Sequence, residues 1–352
     1  MVVYITFLLF STLMVFINKI TRRYYSLNSL IYWIGGIYLI FIAGSRDVSV
    51  GIDTSSYYSY FNRDIPIDEI AEYYHYTGQL FWYMMYYVKG YLGDYRVVVY
   101  LTSLLSIGLL FYVVKHKSYS PYLSMVIYMA LGFYAIGLNI IREYLGIAVY
   151  MLAVYNLANG KKKKFLLITT IAFFIHPSLI LGYLLYFVYD KKINIKIVTL
   201  YLLSGITLFI FFKIILSVVI MALYGGDEAI LSLLGEDGGG KLTFILYILL
   251  LFVATVLKND IISVDKNNLI YIHMMYIATI IQSATFLFPI ASRAAYIYSI
   301  ALIILIPNII HSIRNVYARV YSTVLLVLVC WGMYFLKFYN LQGAYPYKFF
   351  FL

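Results

Sequence analysis

The sequence predicts an all-α integral membrane protein that crosses the bilayer many times. Apolar residues make up 64% of the 352-residue chain, charged residues make up only 12%, and the mean hydropathy is +0.88. A soluble domain with so few charges would leave large apolar areas in contact with water. A spanning helix needs ~20 apolar residues, so the chain has room for about 11–13 transmembrane helices, some short or broken. We expect a single transmembrane domain over residues 1–352.

The candidate spans follow one another along the chain as apolar runs between polar connections. They lie at roughly 1–17, 27–43, 95–114, 121–138, 140–158, 163–177, 178–189, 194–222, 242–257, 268–288, 293–311 and 320–338. The first extracytoplasmic loop is expected at 44–94. Within it, the short aromatic-rich stretch 78–92 is typical of an interfacial or re-entrant helix. A second extracytoplasmic loop, acidic and rich in glycine, is expected at 223–241.

Lysine and arginine concentrate in alternate connections. One set of connections carries 16 cations and three acids, and the other carries nine cations and twelve acids. Because positive residues are retained in the cytoplasm, the first set predicts the cytoplasmic side, and both termini are expected outside. This assignment requires that 163–189 forms two short passes broken near His176 and Pro177. The net charge of +11 therefore reflects topology, and no nucleic-acid partner is expected.

Several polar residues gather on the predicted outer side, including arginines that oppose the charge bias. Asn139 is expected to cap the N-terminus of an inward-running helix, which places Arg142 in its first turn. Arg293 is expected near another helix start. A helix N-terminus favours a bound anion and disfavours a cation, so arginine there is best explained by a nearby phosphate. The candidate residues are Arg46, Asp53, Thr54, Asn139, Arg142, His176 and Arg293.

Ordinary structural roles remain open for the three arginines. Arg142 pairs with Glu143 or extends to the interface in one interpretation. Arg293 serves as an interfacial anchor, and Arg46 pairs with its neighbour Asp47. These alternatives predict separate local contacts, whereas a substrate site predicts that the arginines converge.

His176 and Asp53 are the candidates for acid–base chemistry. An ionisable group at the membrane edge is a functional candidate, and an imidazole accepts a proton at neutral pH. The alternative for His176 is a hydrogen bond to the helix end freed by Pro177. Asp53 either forms an Asx turn or orients a sugar hydroxyl or an arginine. No histidine or cysteine pair has metal-ligand spacing, so neither metal nor cofactor is expected, and the one cysteine excludes a disulfide framework.

Three short motifs occur in an order that resembles the EpsG family. They are R-x(4)-G-x-D-T-x-x-Y at 46–57, N-x-x-R at 139–142 and F-x-H-P-S at 174–178. The terminal YPYKFFF at 345–351 is similar to that family's ending. The resemblance covers nearly the whole chain. Glu143 departs from the pattern, because glutamine is expected after the arginine.

The resemblance implies a Wzy-like polymerase of bacterial capsules, exopolysaccharides or O-antigens. Such an enzyme resembles the GT-C-type glycosyltransferases and is expected in the bacterial plasma (inner) membrane, with its active site facing outward and no metal. It would transfer a growing glycan from undecaprenyl diphosphate to an incoming lipid-linked repeat unit. A flippase and a chain-length regulator of the same pathway are possible partners.

That substrate gives each candidate residue an expected role. Arg142 and Arg293 bind the diphosphate, with Arg46 as a third cation. His176 is the base, Asp53 orients the acceptor or shares that role, and Thr54 and Asn139 contact substrate. Two other classes stay open: a flippase or transporter of lipid-linked oligosaccharide, and a membrane O-acyltransferase. The first usually has internal repeats, which this chain lacks, and the second needs a cytoplasmic acyl-donor site.

Overall fold

The computed structural model describes residues 1–21, 24–73, 78–224, 240–289, 291–338 and 341–351. Within these ranges the chain is helical, and its β-structure is one isolated antiparallel bridge between Arg46 and Phe349. The predicted all-α polytopic class is confirmed.

The first part of the chain forms three long helices with a group of shorter ones inserted after the second. These helices are α1 (Val2–Thr21), α2 (Tyr25–Gly44), α3 (Thr54–Phe61), α4 (Ile70–Tyr73), α5 (Gln79–Leu92) and α6 (Tyr95–Lys117). The helix predicted at 78–92 is therefore present as α5, which packs against α6.

The middle of the chain contains the most interrupted helices. They are α7 (Pro121–Ala130), α8 (Phe133–Asn139), α9 (Ile141–Ala158), α10 (Lys162–Ile175), a 3₁₀ helix (Pro177–Tyr183), α11 (Leu184–Val188) and α12 (Ile195–Tyr224). Gly132 separates α7 from α8 with φ +77°, a conformation that favours glycine, and the two helices meet at 60°.

The last part of the chain runs from α13 to a short C-terminal segment. Its helices are α13 (Lys241–Val256), α14 (Lys258–Val264), α15 (Asn268–Ser283), α16 (Ala291–Ser299), α17 (Leu302–Ser312) and α18 (Val316–Met333). The loop predicted at 223–241 lies outside the described residues from 225 to 239.

Four helices of the described residues are long and apolar enough to cross a membrane, or up to seven if each of three bent pairs is one span. The four are Tyr25–Gly44, Tyr95–Lys117, Asn268–Phe286 and Val316–Lys337. Shorter apolar helices cover Val2–Asn18, Pro177–Val188 and Ile195–Phe211. The further spans that the sequence predicts thus correspond to bent helix pairs, to helices with shorter apolar stretches or, in α9, to a helix that begins with charged residues.

Burial differs between helices in the way a membrane protein requires. In α9, Ile147, Tyr150 and Met151 are fully buried. In α12, by contrast, Leu202 and Ile210 are more than half exposed. An apolar helix surrounded by protein forms the core, whereas exposed apolar faces of this size belong against lipid.

The predicted cytoplasmic connections meet at one end of the molecule, which we call the basic end. Contacts between them join Lys117 to Asn159 (2.7 Å), Lys162 to the ring of Tyr189 (5.4 Å), Lys258 to the carbonyl of Ile193 (2.6 Å) and Arg314 to Asp260 (3.3 Å). The connections that are rich in lysine and arginine in the sequence therefore lie together at one end of the molecule.

The chain folds back on itself after His176, as the charge distribution requires. α10 ends at Ile175, and the 3₁₀ helix runs antiparallel beside it. The hydroxyl groups of Thr170 and Tyr183 lie 2.6 Å apart. Both lysine clusters flanking this segment, at 161–164 and 191–192, therefore lie at the basic end.

The C-terminal segment 341–351 lies at the opposite end, against the loop that follows α2. The amide of Gly51 donates to the carbonyl of Gly343 (3.0 Å), and the amide of Asp47 donates to that of Lys348 (2.9 Å). The hydroxyl of Tyr4, near the start of α1, donates to the carbonyl of Ala344 (2.9 Å). Residues near the start and the end of the chain thus lie at the same end of the molecule.

Candidate functional site

Two arginines enter the end opposite the basic end from the first turns of two helices. Arg142 is the second residue of α9, and Arg293 is the third residue of α16. Both placements agree with the sequence prediction. Free N–H groups at a helix start carry positive partial charge, so each arginine adds its cation to an already positive position.

Arg142 is half-buried and packs on an aromatic ring. Its guanidinium carbon lies 5.0 Å from the centre of the Trp82 ring, and its Nε is buried without a hydrogen-bond partner. Among the ion pairs of the described residues, none involves Arg142, so the proposed pairing with Glu143 is wrong. Its charge is available to a ligand.

Arg293 forms an ion pair with Asp53. Its Nη2 lies 3.2 Å from Oδ2 of Asp53, and the two side chains remain 40% and 27% exposed. Asp53 occupies the N-cap position of α3, but its side chain makes no capping hydrogen bond. Of the two roles predicted for Asp53, orientation of an arginine is therefore the observed one.

Asn139 is not the N-cap of α9. It is the last residue of α8, and Ile140 stands between the two helices. Its side-chain oxygen accepts from the amide of Asp53 (2.6 Å), and its side-chain nitrogen donates to Oε1 of Gln342 (2.6 Å). The prediction failed because its partners are distant in sequence, and Asn139 instead fixes the loop that carries Asp53.

His176 belongs to a hydrogen-bonded chain of three side chains. Its Nδ1 lies 2.7 Å from Oγ of Ser178, and that hydroxyl donates to Oε1 of Glu143 (2.8 Å). The carboxylate of Glu143 is only 4% exposed, and the imidazole is 13% exposed. Nδ1 also accepts from the amide of Ser178 (3.3 Å), which is the hydrogen bond to the freed helix end that the alternative for His176 predicts, and Nε2 is the ring nitrogen left to act on a substrate.

The charged groups of these chains act electrostatically on one hydroxyl, that of Tyr57 in α3. Burial raises the pKa of Tyr57 above its ordinary value. Arg142 and Arg293 act on the same hydroxyl to lower its pKa, whereas Asp53 and Glu143 act to raise it. Both arginines also lie close enough to His176 to act on it electrostatically. Five of the seven predicted residues, Asp53, Asn139, Arg142, His176 and Arg293, are therefore brought to one place.

Arg46 and Thr54 share a different partner, the carbonyl of Leu138 in α8. Arg46 is 4% exposed, and its guanidinium donates to the carbonyls of Ala43 and Leu138, the latter at 3.2 Å. Thr54 is buried and donates to the carbonyls of Val50 (2.8 Å) and Leu138 (3.3 Å). Both side chains bond to main chain, which argues for structural roles.

The alternative pairing of Arg46 with Asp47 is also absent from the structure. Oδ1 of Asp47 accepts from the amide (3.0 Å) and hydroxyl (2.7 Å) of Ser49, and these bonds lower the pKa of the Asp47 carboxyl below its ordinary value. Arg46 instead ties the end of α2 to the end of α8.

Five residues of this site were not predicted to belong to it, and one of them, Glu143, was noted only as a departure from the family's motif. Ser178 and Tyr57 belong to the quoted motifs, so their motif positions were the available signal. Trp82 was read only as part of an interfacial stretch. Gln342 gives no signal in sequence, because its partner Asn139 lies 203 positions earlier.

No group of three or more His, Cys, Asp or Glu side chains is placed to hold a metal ion in the part of the chain that the structure describes. What the site offers is two guanidinium groups, an imidazole and two carboxylates. This set can bind an anionic group and accept a proton from a hydroxyl beside it.

Comparison with known proteins identifies the family. No curated protein and no solved structure matches the chain. The sequence profile of the EpsG family matches residues 29–349, which is nearly the whole chain and includes every residue of the site. The chain therefore belongs to the EpsG family, a family of Wzy-like polysaccharide polymerases.

Proposed function

We propose that this protein polymerises a bacterial surface polysaccharide at the outer face of the plasma membrane. It transfers the growing glycan from undecaprenyl diphosphate to an incoming lipid-linked repeat unit. The observation that carries this proposal is the convergence of Arg142 and Arg293, from two helix starts, beside the His176–Ser178–Glu143 chain. Family membership supports the general reaction.

Arg142 and Arg293 bind the diphosphate of the donor. A leaving diphosphate gains negative charge as its bond to the sugar breaks, and preorganised cations stabilise that charge. Arg142 is the first ligand, since no carboxylate is paired with it. Nη2 of Arg293 is paired with Asp53, and the other N–H groups of the same guanidinium bind the diphosphate.

His176 accepts the proton of the acceptor hydroxyl. The hydroxyl oxygen forms the new bond to the anomeric carbon, the bond from that carbon to the diphosphate breaks, and the proton passes to Nε2. Positive charge on the imidazole is then stabilised through Ser178 by the carboxylate of Glu143. The lipid diphosphate leaves with the electron pair of the broken bond.

We assign Arg46 and Thr54 to the architecture of the site. Both hold the carbonyl of Leu138, one residue before Asn139. They thereby fix the junction between the first loop and α9, from which Asp53 and Arg142 project. In this proposal neither side chain contacts the diphosphate.

The decisive test compares substitution of Arg142 with substitution of a control arginine that occupies the same position in another helix. Arg96 is the second residue of α6, as Arg142 is of α9, but it pairs with Asp94. We expect Arg142→Ala to lower chain extension by roughly 10²–10³-fold, Arg142→Lys to recover part of it, and Arg96→Ala to match wild type. The measurement is polymer length and rate in liposomes supplied with lipid-linked repeat units.

The same assay separates the proposal from the flippase alternative. Lengthened product supports a polymerase, whereas relocation of the repeat unit without lengthening would establish a flippase. Wild-type extension by Arg142→Ala at matched protein level would remove the diphosphate role.

A further inference from the structure

A surface cavity of about 480 Å³ lies in the first loop, between α3 and α5. That volume falls within the ~300–1,000 Å³ usual for ligand pockets. Its wall combines aromatic rings with charged groups, among them Tyr60, Asp64, Trp82, Met85, Tyr86 and Lys89. The proposed reaction does not use this cavity.

The aromatic wall is suited to the flat apolar faces of sugar rings. Tyr60 and Trp82 meet edge to face, with ring centres 5.6 Å apart and planes at 80°. Tyr86 is 36% exposed, whereas the lining residue Met85 is buried. Rigid aromatic side chains supply contact area at little entropic cost, and their faces attract the C–H bonds of a pyranose.

The rim of the cavity supplies hydrogen bonds for hydroxyl groups. Asp64 pairs with Lys89 at 2.5 Å, and its side chain is 95% exposed. Nζ of Lys89 also donates to the carbonyl of Arg63 (2.9 Å). An ion pair this exposed contributes little to folding, so stability does not account for its position. A carboxylate that accepts and an ammonium that donates are the two partners that a sugar diol needs.

Trp82 connects this cavity with the arginine site. Trp82 is one of the residues that line the cavity, and the guanidinium carbon of Arg142 lies 5.0 Å from the centre of the Trp82 ring. A ligand in the cavity is therefore adjacent to a group bound by Arg142. The exposed charged rim is unsuited to an isoprenoid tail, which would have to strip water from Asp64 and Lys89.

We propose that this cavity binds the sugar residues that adjoin the donor diphosphate, a proposal that rests on the proposed function above. Tyr86, the most exposed aromatic side chain of the wall, contacts a ring face, Tyr60 and Trp82 complete the wall, and Asp64 and Lys89 bind the hydroxyl groups. The arginine site and the cavity then hold neighbouring parts of one substrate.

Two adjacent tyrosines of α5 provide a matched pair for the test. Tyr86 lines the cavity, whereas Tyr87 is 48% exposed and stacks on Tyr91, away from it. The probe is a free oligosaccharide of one to three repeat units, without lipid or phosphate, from partial hydrolysis of the strain's own polymer. Binding to purified protein is measured by saturation-transfer NMR.

We expect Tyr86→Ala to raise the dissociation constant of this oligosaccharide about three- to tenfold, and Tyr87→Ala to leave it unchanged. Undecaprenyl diphosphate without sugar is then added as a competitor. It should not reduce the saturation-transfer signal of the oligosaccharide, because it does not occupy the cavity. The proposal is overturned if Tyr86→Ala and wild type bind the oligosaccharide with equal affinity, provided that thermal unfolding shows both proteins to be folded. It is also overturned if the oligosaccharide shows no binding to wild type.

A second readout separates this site from the polymerase assignment. In liposomes, Tyr86→Ala should raise KM for the donor by a similar factor and leave kcat near wild type. If wild type binds the oligosaccharide in a Tyr86-dependent way but extends nothing, the polymerase assignment fails and the sugar site stands. If Tyr86→Ala extends chains with an unchanged KM, the sugar site fails and the polymerase assignment stands.

Discussion

Glu143 is the most buried charge of the candidate site, and its role follows from its partners. Its carboxylate accepts from Ser178 and lies near both Arg142 and Arg293. A carboxylate in this position stabilises positive charge on His176 after proton transfer. It also offsets the arginines when no substrate is bound.

We expect Glu143→Gln to lower the rate of sugar transfer about tenfold and to leave KM near wild type. A general base accelerates a reaction by ~10²–10⁴-fold, and Glu143 supports the base without being the base itself. Glutamine keeps the shape and the acceptor oxygen but removes the charge. The measurement is kcat and KM for chain extension in liposomes. A rise in KM at constant kcat would show that Glu143 acts on substrate binding instead.

Gly78 is the second informative residue, because Arg142 and Ile175 leave no room for a side chain there. Its φ is +64°, and an added Cβ would lie 2.8 Å from Nη1 of Arg142 and 2.8 Å from the carbonyl of Ile175. Gly93 at the other end of α5 has φ +68° and open space around it.

We therefore expect Gly78→Ala and Gly93→Ala to cost a similar backbone strain of about 1 kcal/mol. Gly78→Ala should also displace Arg142 and reduce chain extension at least tenfold. The measurements are thermal unfolding in detergent and extension rate. Equal activity of the two variants would show that the guanidinium tolerates displacement.

At the scale of elements, the break at His176 shapes the site most. α10 and the 3₁₀ helix form two legs of a hairpin, and His176 is the residue at its turn. In a continuous helix, residues 170 and 183 would lie ~20 Å apart. In the structure their hydroxyl oxygens are 2.6 Å apart.

A chemical cross-link tests this hairpin directly. We expect Thr170→Cys with Tyr183→Cys, in a Cys330→Ala background, to be joined by a short bis-maleimide, because the native side chains at these positions meet across the hairpin. Cys330 is the chain's one cysteine, so its replacement leaves no competing thiol. The linked peptides are detected by mass spectrometry, and Thr170→Cys with Phe187→Cys serves as the control pair. Absence of the first link would favour a continuous helix.

At the scale of the whole molecule, the charge separation predicts which end faces the cytoplasm. We expect Asp64→Cys to react with a membrane-impermeant maleimide in intact cells, and Lys163→Cys to react only after permeabilisation. The reason is that retained positive charge places the basic end inside. Mass shift of the purified protein is the readout. The reverse labelling pattern would invert the protein and place the arginine site in the cytoplasm.

The sequence predicts the fold class and which connections lie together at each end of the molecule. Both follow from hydropathy and charge, which are local properties of the sequence and determine how a segment is placed relative to the bilayer. The sequence also places Arg142 and Arg293 correctly, since helix starts can be read from nearby residues. Asn139 was misassigned as an N-cap because its partner Gln342 is fixed only by tertiary packing, and packing likewise brings Arg46 to the carbonyl of Leu138. The link from Glu143 to Ser178 depends on the hairpin and is invisible to spacing along the chain.

The position of Gln342 has a consequence for the order in which a newly made chain matures. Asn139 enters the membrane early during translation, yet its amide partner is added 203 residues later. Until then the loop bearing Asp53 lacks one of its anchors. A nascent polypeptide therefore lacks this anchor until residue 342 has been synthesised, even if its earlier helices have already been inserted.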